Sequence, residues 1–158
     1  QLVQLDENSR RIFSKISPEI LADASIDINA NICRLAIDSA CLLKTDKSFS
    51  LKYSEKVISF IKDAFAEIDK FEFRDKKYVI NKQIFKLYWC LEALNYFYEY
   101  IDTGVLKEIL QKSIEQKEYT VREKAAQIVV TSSLFPEFAE ILKQDENYYV
   151  RQIFTKSS

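Results

Sequence analysis

The stretch EYTVREKAAQIV at residues 118–129 is echoed by NYYVRQIF at residues 147–154. Both contain a Val-Arg pair preceded by tyrosine, and the two pairs lie 29 residues apart. Each stretch follows a short apolar segment of helical spacing, and small or apolar residues follow each pair: Ala125, Ala126, Ile128, Val129 and Phe154. This recurrence predicts two consecutive helical hairpins, because one hairpin cannot bury its own apolar face and needs a stacked neighbour.

A helix, a tight turn and a second helix with Val-Arg near its start resemble the repeats of the HEAT and armadillo families. The resemblance is clearest over residues 104–156 and weaker at Ile80-Asn81 and Ile32-Cys33, where the arginine is missing. It implies that the valines are core residues. It also implies that Arg122 and Arg151 are ladder residues, each bonding to an acidic or carbonyl group of an adjoining repeat.

The rest of the chain also predicts helices. A single Gly and two Pro in 158 residues disfavour the tight turns that sheets require. Apolar spacing and capping residues predict helices over residues 1–16, 18–24, 27–44, 51–70, 77–100, 104–116, 119–132, 136–144 and 146–156. The expected fold is all-α, with stacked antiparallel helical hairpins that form a short HEAT-like α-solenoid. Residues 1–158 would be one domain: irregular N-terminal helices at 1–50, a long hairpin at 51–101 and two HEAT-like repeats at 102–158.

Three predicted helices have informative apolar patterns. The first, over residues 1–16, has Leu2, Leu5, Ile12 and Ile16 as its apolar points. In the second, over residues 27–44, one apolar stripe is expected to face the core: Ile28, Ile32, Leu35, Ser39 and Leu42. The third, over residues 77–100, is apolar on two faces, which predicts neighbours on two sides.

Composition excludes many kinds of active site. The chain has no His, which removes Ser-His-Asp and Cys-His catalysis and most zinc sites. A single Gly removes phosphate-binding loops that need several glycines at set spacing. Cys33, Cys41 and Cys90 have no CxxC pairing and are interpreted as small buried side chains. We therefore expect no enzymatic activity, no cofactor and no metal.

The net charge is −1, and no third of the chain carries the basic excess expected of a protein that binds phosphate backbones. No segment has the run of about 20 apolar residues that a membrane span needs, and the N-terminus does not resemble a signal peptide. Sparse, unpaired cysteines favour a reducing, cytoplasmic location. The chain starts with Gln and lacks Met, which is interpreted as a sign that it is either a trimmed form or a piece of a longer protein.

Two groups of residues are candidate binding surfaces. The densest basic run is a candidate contact for an anion or nucleic acid, or else an ordinary solvated face: Arg74, Lys76, Lys77, Lys82 and Lys86. Aromatic residues on the same predicted helix either fill the core or bind a partner, with Tyr88 and Tyr98 expected to be the more exposed and Trp89 beside them. The HEAT resemblance adds Glu123, Gln127 and Gln152 as partner-facing positions on the concave side.

These features favour a protein-interaction module, a scaffold or adaptor that binds another protein or a peptide on the concave face. Two alternatives stay open. One is a nucleic-acid-binding protein similar to the HEAT-like DNA glycosylases, supported by Trp89, Lys82 and Lys86. The other is a regulatory or capping segment of a larger protein, for which Ile153 and Phe154 would form an uncovered face.

Overall fold

The computed structural model describes residues 16–71 and 77–156. Across these residues the regular secondary structure is all helical, without a β-strand, so the predicted all-α class is confirmed. The helix predicted over residues 1–16 lies almost wholly outside the described residues. Arg74 and Lys76 of the basic run lie outside them as well.

The described residues form eight α-helices and one 3₁₀ turn. Their bounds are α1 Pro18–Ala24, α2 Ala30–Leu42, α3 Lys47–Phe71, α4 Lys77–Phe97, the 3₁₀ turn Tyr98–Tyr100, α5 Thr103–Ile114, α6 Tyr119–Ser132, α7 Pro136–Leu142 and α8 Tyr148–Lys156. The predicted start at Pro18 is confirmed, because the Ser17 hydroxyl accepts a hydrogen bond from the Ile20 amide. The bounds predicted for α6 are those observed.

Local capping shifts three predicted helix starts. Helix α2 begins at Ala30 because the Asn29 side chain accepts from the Asn31 amide. The Asp46 carboxylate accepts from the Phe49 amide, so α3 begins at Lys47 and not at the predicted residue 51. Helix α8 begins at Tyr148 and not at the predicted residue 146, because the Asn147 side chain accepts from the Tyr149 amide there.

The helices contact one another in a regular order. Helix α4 packs against α3 on one side and α6 on the other, as its two apolar faces predicted. The even-numbered helices α2, α4, α6 and α8 contact one another in succession, while α5 and α7 each lie against α6. Helix α1 packs on α2 and α3.

The core runs through all of these contacts. Its largest fully buried side chains include Tyr53, Phe97, Ile61, Leu87, Leu91, Leu106, Leu110 and Leu142. The Tyr53 hydroxyl and the Ser25 hydroxyl lie 2.6 Å apart in this interior, where burial raises the pKa of Tyr53. Burial raises the pKa of Cys33 and Cys90 as well, and that of Cys41 to about 11, so all three thiols stay protonated at neutral pH.

The apolar stripe predicted to bury α2 lies on its solvent side. Ile28 is 91% exposed and Leu35 is 68% exposed, and Ile32 is exposed too. The buried positions are instead Cys33, Ala36, Ile37 and Ala40. The prediction was wrong because three of these four side chains are small, which lets α2 lie close to α1 and α4, and the large aliphatic residues are left facing outward.

Candidate functional site

An apolar groove lies between the starts of α2 and α6 and residues 81–89 of α4. Its wall is a single face of α4 formed by Ile84, Phe85, Tyr88 and Trp89, which follow one another at helical spacing. Ala30 at the start of α2 lines the opposite side, and the polar residues Asn81, Glu118 and Thr120 complete the lining. The groove has a volume of about 440 Å³, within the range of small ligand pockets.

The aromatic wall is held by contacts among its own rings. Trp89 makes edge contacts with both Phe85, at 6.4 Å between ring centroids, and Tyr88, at 5.3 Å. Trp89 is only 8% exposed, whereas Tyr88 and Phe85 are half-buried and present their outer surfaces to the groove. Edge-to-face packing fixes ring orientation, so these side chains form a rigid surface.

Two cations from the neighbouring helices cover the same rings. The Lys124 ammonium of α6 lies 4.7 Å from the centroid of Tyr88, and the Arg34 guanidinium of α2 lies 5.2 Å from that of Trp89. Both distances fall within the range of a cation–π interaction. Helix α4 is therefore clamped from both sides at its aromatic wall.

The two cations meet at one buried carboxylate, Glu92 of α4. Lys124 Nζ donates to Glu92 Oε2 at 2.6 Å, and Arg34 Nη2 donates to the same oxygen at 2.9 Å. Lys124 also donates to Gln127 at 3.3 Å, and Arg34 lies 3.7 Å from Asp38. This three-helix network, named here the Glu92 network, ties α2, α4 and α6 together.

The contacts of the Glu92 network favour the ionised forms of Glu92 and Arg34. Burial acts to raise the pKa of Glu92, but the hydrogen bonds and charges of Lys124 and Arg34 outweigh it, so this pKa lies below its ordinary value. Burial likewise acts to lower the pKa of Arg34, and the bond to Glu92 reverses this effect. The Arg34 side chain is 40% exposed, so solvent reaches one end of the network.

A second ionic cluster, named here the Arg122 cluster, lies between the last two hairpins. Arg122 of α6 donates from Nε and Nη2 to the two oxygens of Asp145, at 2.8 and 3.0 Å. Its Nη1 donates to the carbonyls of Gln116 and Lys117. Arg151 of α8 donates to the Asp145 carbonyl at 2.6 Å, so one turn receives bonds from both arginines of the Val-Arg pairs.

Electrostatics favour the ionised form of this cluster too. The hydrogen bond to Asp145 is the main reason that the pKa of Arg122 is raised. For Asp145, burial acts to raise the pKa, and the bonds from Arg122 and from the Asn147 amide more than offset it, so that this pKa is lowered.

The predicted partner-binding residues do not all come together. Tyr88 and Trp89 line the groove. Tyr98 lies in the 3₁₀ turn at the far end of α4 and is half-buried, as is Tyr88, whereas Tyr96 is exposed. The expectation that Tyr88 and Tyr98 are the more exposed tyrosines was therefore wrong. Glu123, Gln127 and Gln152 are all half-buried, and Gln127 belongs to the Glu92 network.

Part of the predicted basic run is described. Lys77 and Lys82 are exposed in the first turns of α4, and Lys86 is half-buried one turn further on. Ile153 and Phe154, expected as an uncovered face, are half-buried and pack against the core.

Sequence reasoning missed Arg34, Glu92 and Lys124. A usable signal existed for Glu92, because it interrupts the apolar run LYWCLEAL at residues 87–94. A carboxylate on a helix buried on two sides requires a cation partner. The identity of that partner depends on which helices adjoin α4, and this cannot be read from local spacing.

Within residues 16–71 and 77–156, no group of three or more His, Cys, Asp or Glu side chains is placed to hold a metal ion. None of the helices in the described part of the chain has the length and apolar character needed to cross a membrane. Comparisons with protein families, with curated proteins and with solved structures find no match to this chain.

Proposed function

We propose that this chain is a non-enzymatic protein-interaction module, a scaffold or adaptor, built as a short HEAT-like α-solenoid. The succession of contacts through α2, α4, α6 and α8 supports this architecture, since solenoid repeats contact mainly their neighbours. The Arg122 cluster supports it as well, because Arg122 reaches the turn of the next hairpin.

The apolar groove carries the functional proposal. It combines an aromatic wall with a few polar groups at the rim, which is the usual composition of a binding site. The occupant is a segment of a partner protein that inserts one bulky apolar side chain against Phe85 and Tyr88. A Lys or Arg beside that side chain pairs with Glu118, whose exposed carboxylate neither caps α6 nor forms an ion pair with any other described residue.

The Glu92 network makes the groove wall suitable for binding. Arg34 and Lys124 hold the faces of Trp89 and Tyr88, so the rings do not reorganise when a partner arrives. Rigid, already ordered aromatic side chains lose little conformational entropy on binding and are frequent interface hot spots.

The test uses a phage-displayed library of random peptides selected on the full chain. Peptides enriched in a bulky apolar residue next to Lys or Arg are the expected result. Binding should be lost in Ala30→Trp, which fills the groove from α2, and retained in the matched control Asn31→Trp, whose side chain lies outside the groove lining. Glu118→Gln should weaken only the peptides that carry the basic residue.

Equal binding to the wild type and to Ala30→Trp would reject the groove as the site. A parallel titration with duplex and single-stranded DNA tests the alternative function, in which Lys77, Lys82 and Lys86 contact nucleic acid. Affinity that falls steeply with added salt would favour nucleic acid over a protein partner.

A further inference from the structure

A second groove separates α3 from α5. The even-numbered helices pack on one another in succession, whereas α3 and α5 approach each other only locally. The Lys112 ammonium of α5 lies 5.8 Å from the centroid of the Phe65 ring of α3 and bridges the gap there. Before this bridge the gap opens into a groove of about 590 Å³, named here the α3–α5 groove. It is larger than the apolar groove beside α4.

One wall of the α3–α5 groove is a single face of α3. Its lining residues run from Leu51 to Asp63 at helical spacing, and residues 100–105, at the start of α5, form the opposite wall. At about 1.5 Å per residue, the α3 wall is roughly 18 Å long, which is a little over three helical turns. A partner helix of that length presents apolar anchors at the i, i+3 or i+4, and i+7 positions.

The floor of the groove is apolar and held in place. Leu51 is 44% exposed, and Ile58 and Val105 are half-buried, so all three retain surface for a partner to cover. Tyr100 lines the same groove, and its hydroxyl donates to the Lys44 carbonyl at 2.9 Å, which fixes the orientation of the ring. An apolar floor of this kind is typical of a docking surface.

The rim of the groove is acidic. Three carboxylates, those of Glu55, Asp63 and Asp102, line it together with a single cation, Lys62, which leaves two net negative charges. All four side chains belong to exposed residues. Neither Glu55 nor Asp63 is hydrogen-bonded or ion-paired to another residue in the described part of the chain. The Asp102 carboxylate caps α5 by accepting from the Val105 amide at 3.1 Å. Such a rim is complementary to a basic partner.

We propose that the α3–α5 groove binds an amphipathic helix of a partner protein. The apolar face of that helix covers Leu51, Ile58 and Val105, and its flanking Lys or Arg side chains pair with Glu55 and Asp63. An extended segment fits less well, because helical walls offer no free backbone edge for strand pairing. The carboxylates repel a phosphate backbone. This inference is independent of the proposed function, since other helices form this groove.

The test selects binders from a phage library of short amphipathic helices displayed on a fixed helical scaffold, with the full chain as the target. Retained clones are those that also bind Ala30→Trp, in which the apolar groove beside α4 is filled, so failure of the proposed function leaves this test unaffected. We expect these clones to combine apolar residues at helical spacing with flanking Lys or Arg. The absence of such clones, or clones without basic residues, would overturn the proposal.

Charge reversal assigns the selected helices to the α3–α5 groove. Glu55→Lys with Asp63→Lys should weaken their binding at least about tenfold, because two attractive pairs become repulsive. The matched control, Glu67→Lys with Asp69→Lys, makes the same change in net charge on α3 outside the groove lining and should leave the affinity nearly unchanged. Circular dichroism verifies that both variants keep the helicity of the wild type. No loss in the first variant, or an equal loss in the control, would reject the groove as the site.

A charge swap on the selected helices provides a second measurement. Helices in which Glu replaces the flanking Lys or Arg should lose affinity for the wild type and regain it for the variant with Glu55→Lys and Asp63→Lys. Equal affinity of the acidic and basic helices for the wild type would contradict the proposal. Analytical ultracentrifugation tests for a second copy of the chain as the occupant. A dimer that dissociates when Glu55 and Asp63 are both changed to Lys would assign the groove to self-association and overturn the partner proposed here.

Discussion

The Glu92 network and the Arg122 cluster each join neighbouring helices through buried charges, but their surroundings differ. Arg122 is bound by both oxygens of Asp145 and by two backbone carbonyls, so one side chain satisfies four acceptor atoms. Glu92 receives Lys124 and Arg34 on a single oxygen, and only side chains take part. The Arg122 cluster fixes a turn, whereas the Glu92 network fixes side chains beside an open groove.

This difference indicates separate roles. Carbonyls cannot move without moving the chain, so the Arg122 cluster belongs to the rigid frame that sets the angle between the last hairpins. Arg34 is partly exposed and can exchange partners without backbone movement. If a partner binds in the groove as proposed, we expect it to act on the Glu92 network and to leave the Arg122 cluster unchanged.

Removal of Arg122 should have the largest effect. Arg122→Ala leaves the Asp145 carboxylate and two carbonyls without their donors, and we expect a loss of about 3–5 kcal/mol in the free energy of unfolding. Arg122→Lys keeps the charge but not the bidentate geometry, so its free energy of unfolding should lie between those of the wild type and Arg122→Ala. Urea denaturation followed by circular dichroism measures both. The exposed control Lys143→Ala should stay within about 0.5 kcal/mol of the wild type, and an equal loss there would refute the structural role.

The next largest effect is expected from Glu92→Gln. This change keeps the shape of the side chain but leaves two cations close together without a carboxylate, at a cost of about 1.5–3 kcal/mol. Groove-binding peptides should also lose affinity, because Lys124 and Arg34 no longer hold Tyr88 and Trp89. The control Glu99→Gln removes an exposed carboxylate paired with Lys44, and its effect should be small. An unchanged free energy of unfolding in Glu92→Gln would contradict the stabilising role of the Glu92 network.

Acid titration compares the two clusters within one molecule. The pKa of Glu92 lies below its ordinary value of 4.5, and that of Asp145 below 3.8. Below these ordinary values the unfolded chain binds more protons than the folded one, so stability is full at neutral pH and falls as the pH drops through the lowered pKa values. Urea unfolding at several pH values should show this decline, and a shallower one in Glu92→Gln. If the free energy of unfolding fell with pH equally in the wild type and in Glu92→Gln, Glu92 would not contribute to the acid sensitivity.

The smallest effect on stability is expected from Arg34→Gln. Arg34 is partly exposed, so its loss should cost no more than about 1 kcal/mol. Its guanidinium covers Trp89, the single tryptophan, and removal should change the tryptophan emission. The control Lys52→Gln alters an exposed cation that makes no contact with Trp89 and should leave the spectrum unchanged. An unaltered spectrum in Arg34→Gln would mean that the guanidinium does not lie on the ring in solution.

Much of the helical organisation could be predicted because it depends on local signals. Ser17 and Pro18 mark the start of α1, and the apolar period around Val121 gives the bounds of α6. Apart from Cys33, which was expected to be buried, the core face of α2 was not predicted, since Ala36 and Ala40 have less hydrophobic character than the exposed Ile28 and Leu35. Their advantage is size, which matters only once a neighbouring helix is close.

The candidate site was harder to predict because it is assembled from three helices. Tyr88 and Trp89 stand out as aromatic residues on one helix, and sequence reasoning selected both. Ala30, Arg34 and Lys124 come from α2 and α6, and nothing in their local sequence relates them to α4. Their convergence depends on long-range packing, and the spacing of residues within one helix does not encode it.

Helix α8 buries only Val150 completely, and its other contacts with the body are partial. Helix α4, in contrast, is enclosed by α3 and α6 over most of its length. Amide hydrogens of α8 should therefore exchange with deuterated water through local opening, and those of α4 only through global unfolding. The row of helices consequently carries a gradient in opening free energy, which makes the C-terminal hairpin the first unit to separate under mild denaturant and the central hairpin the last.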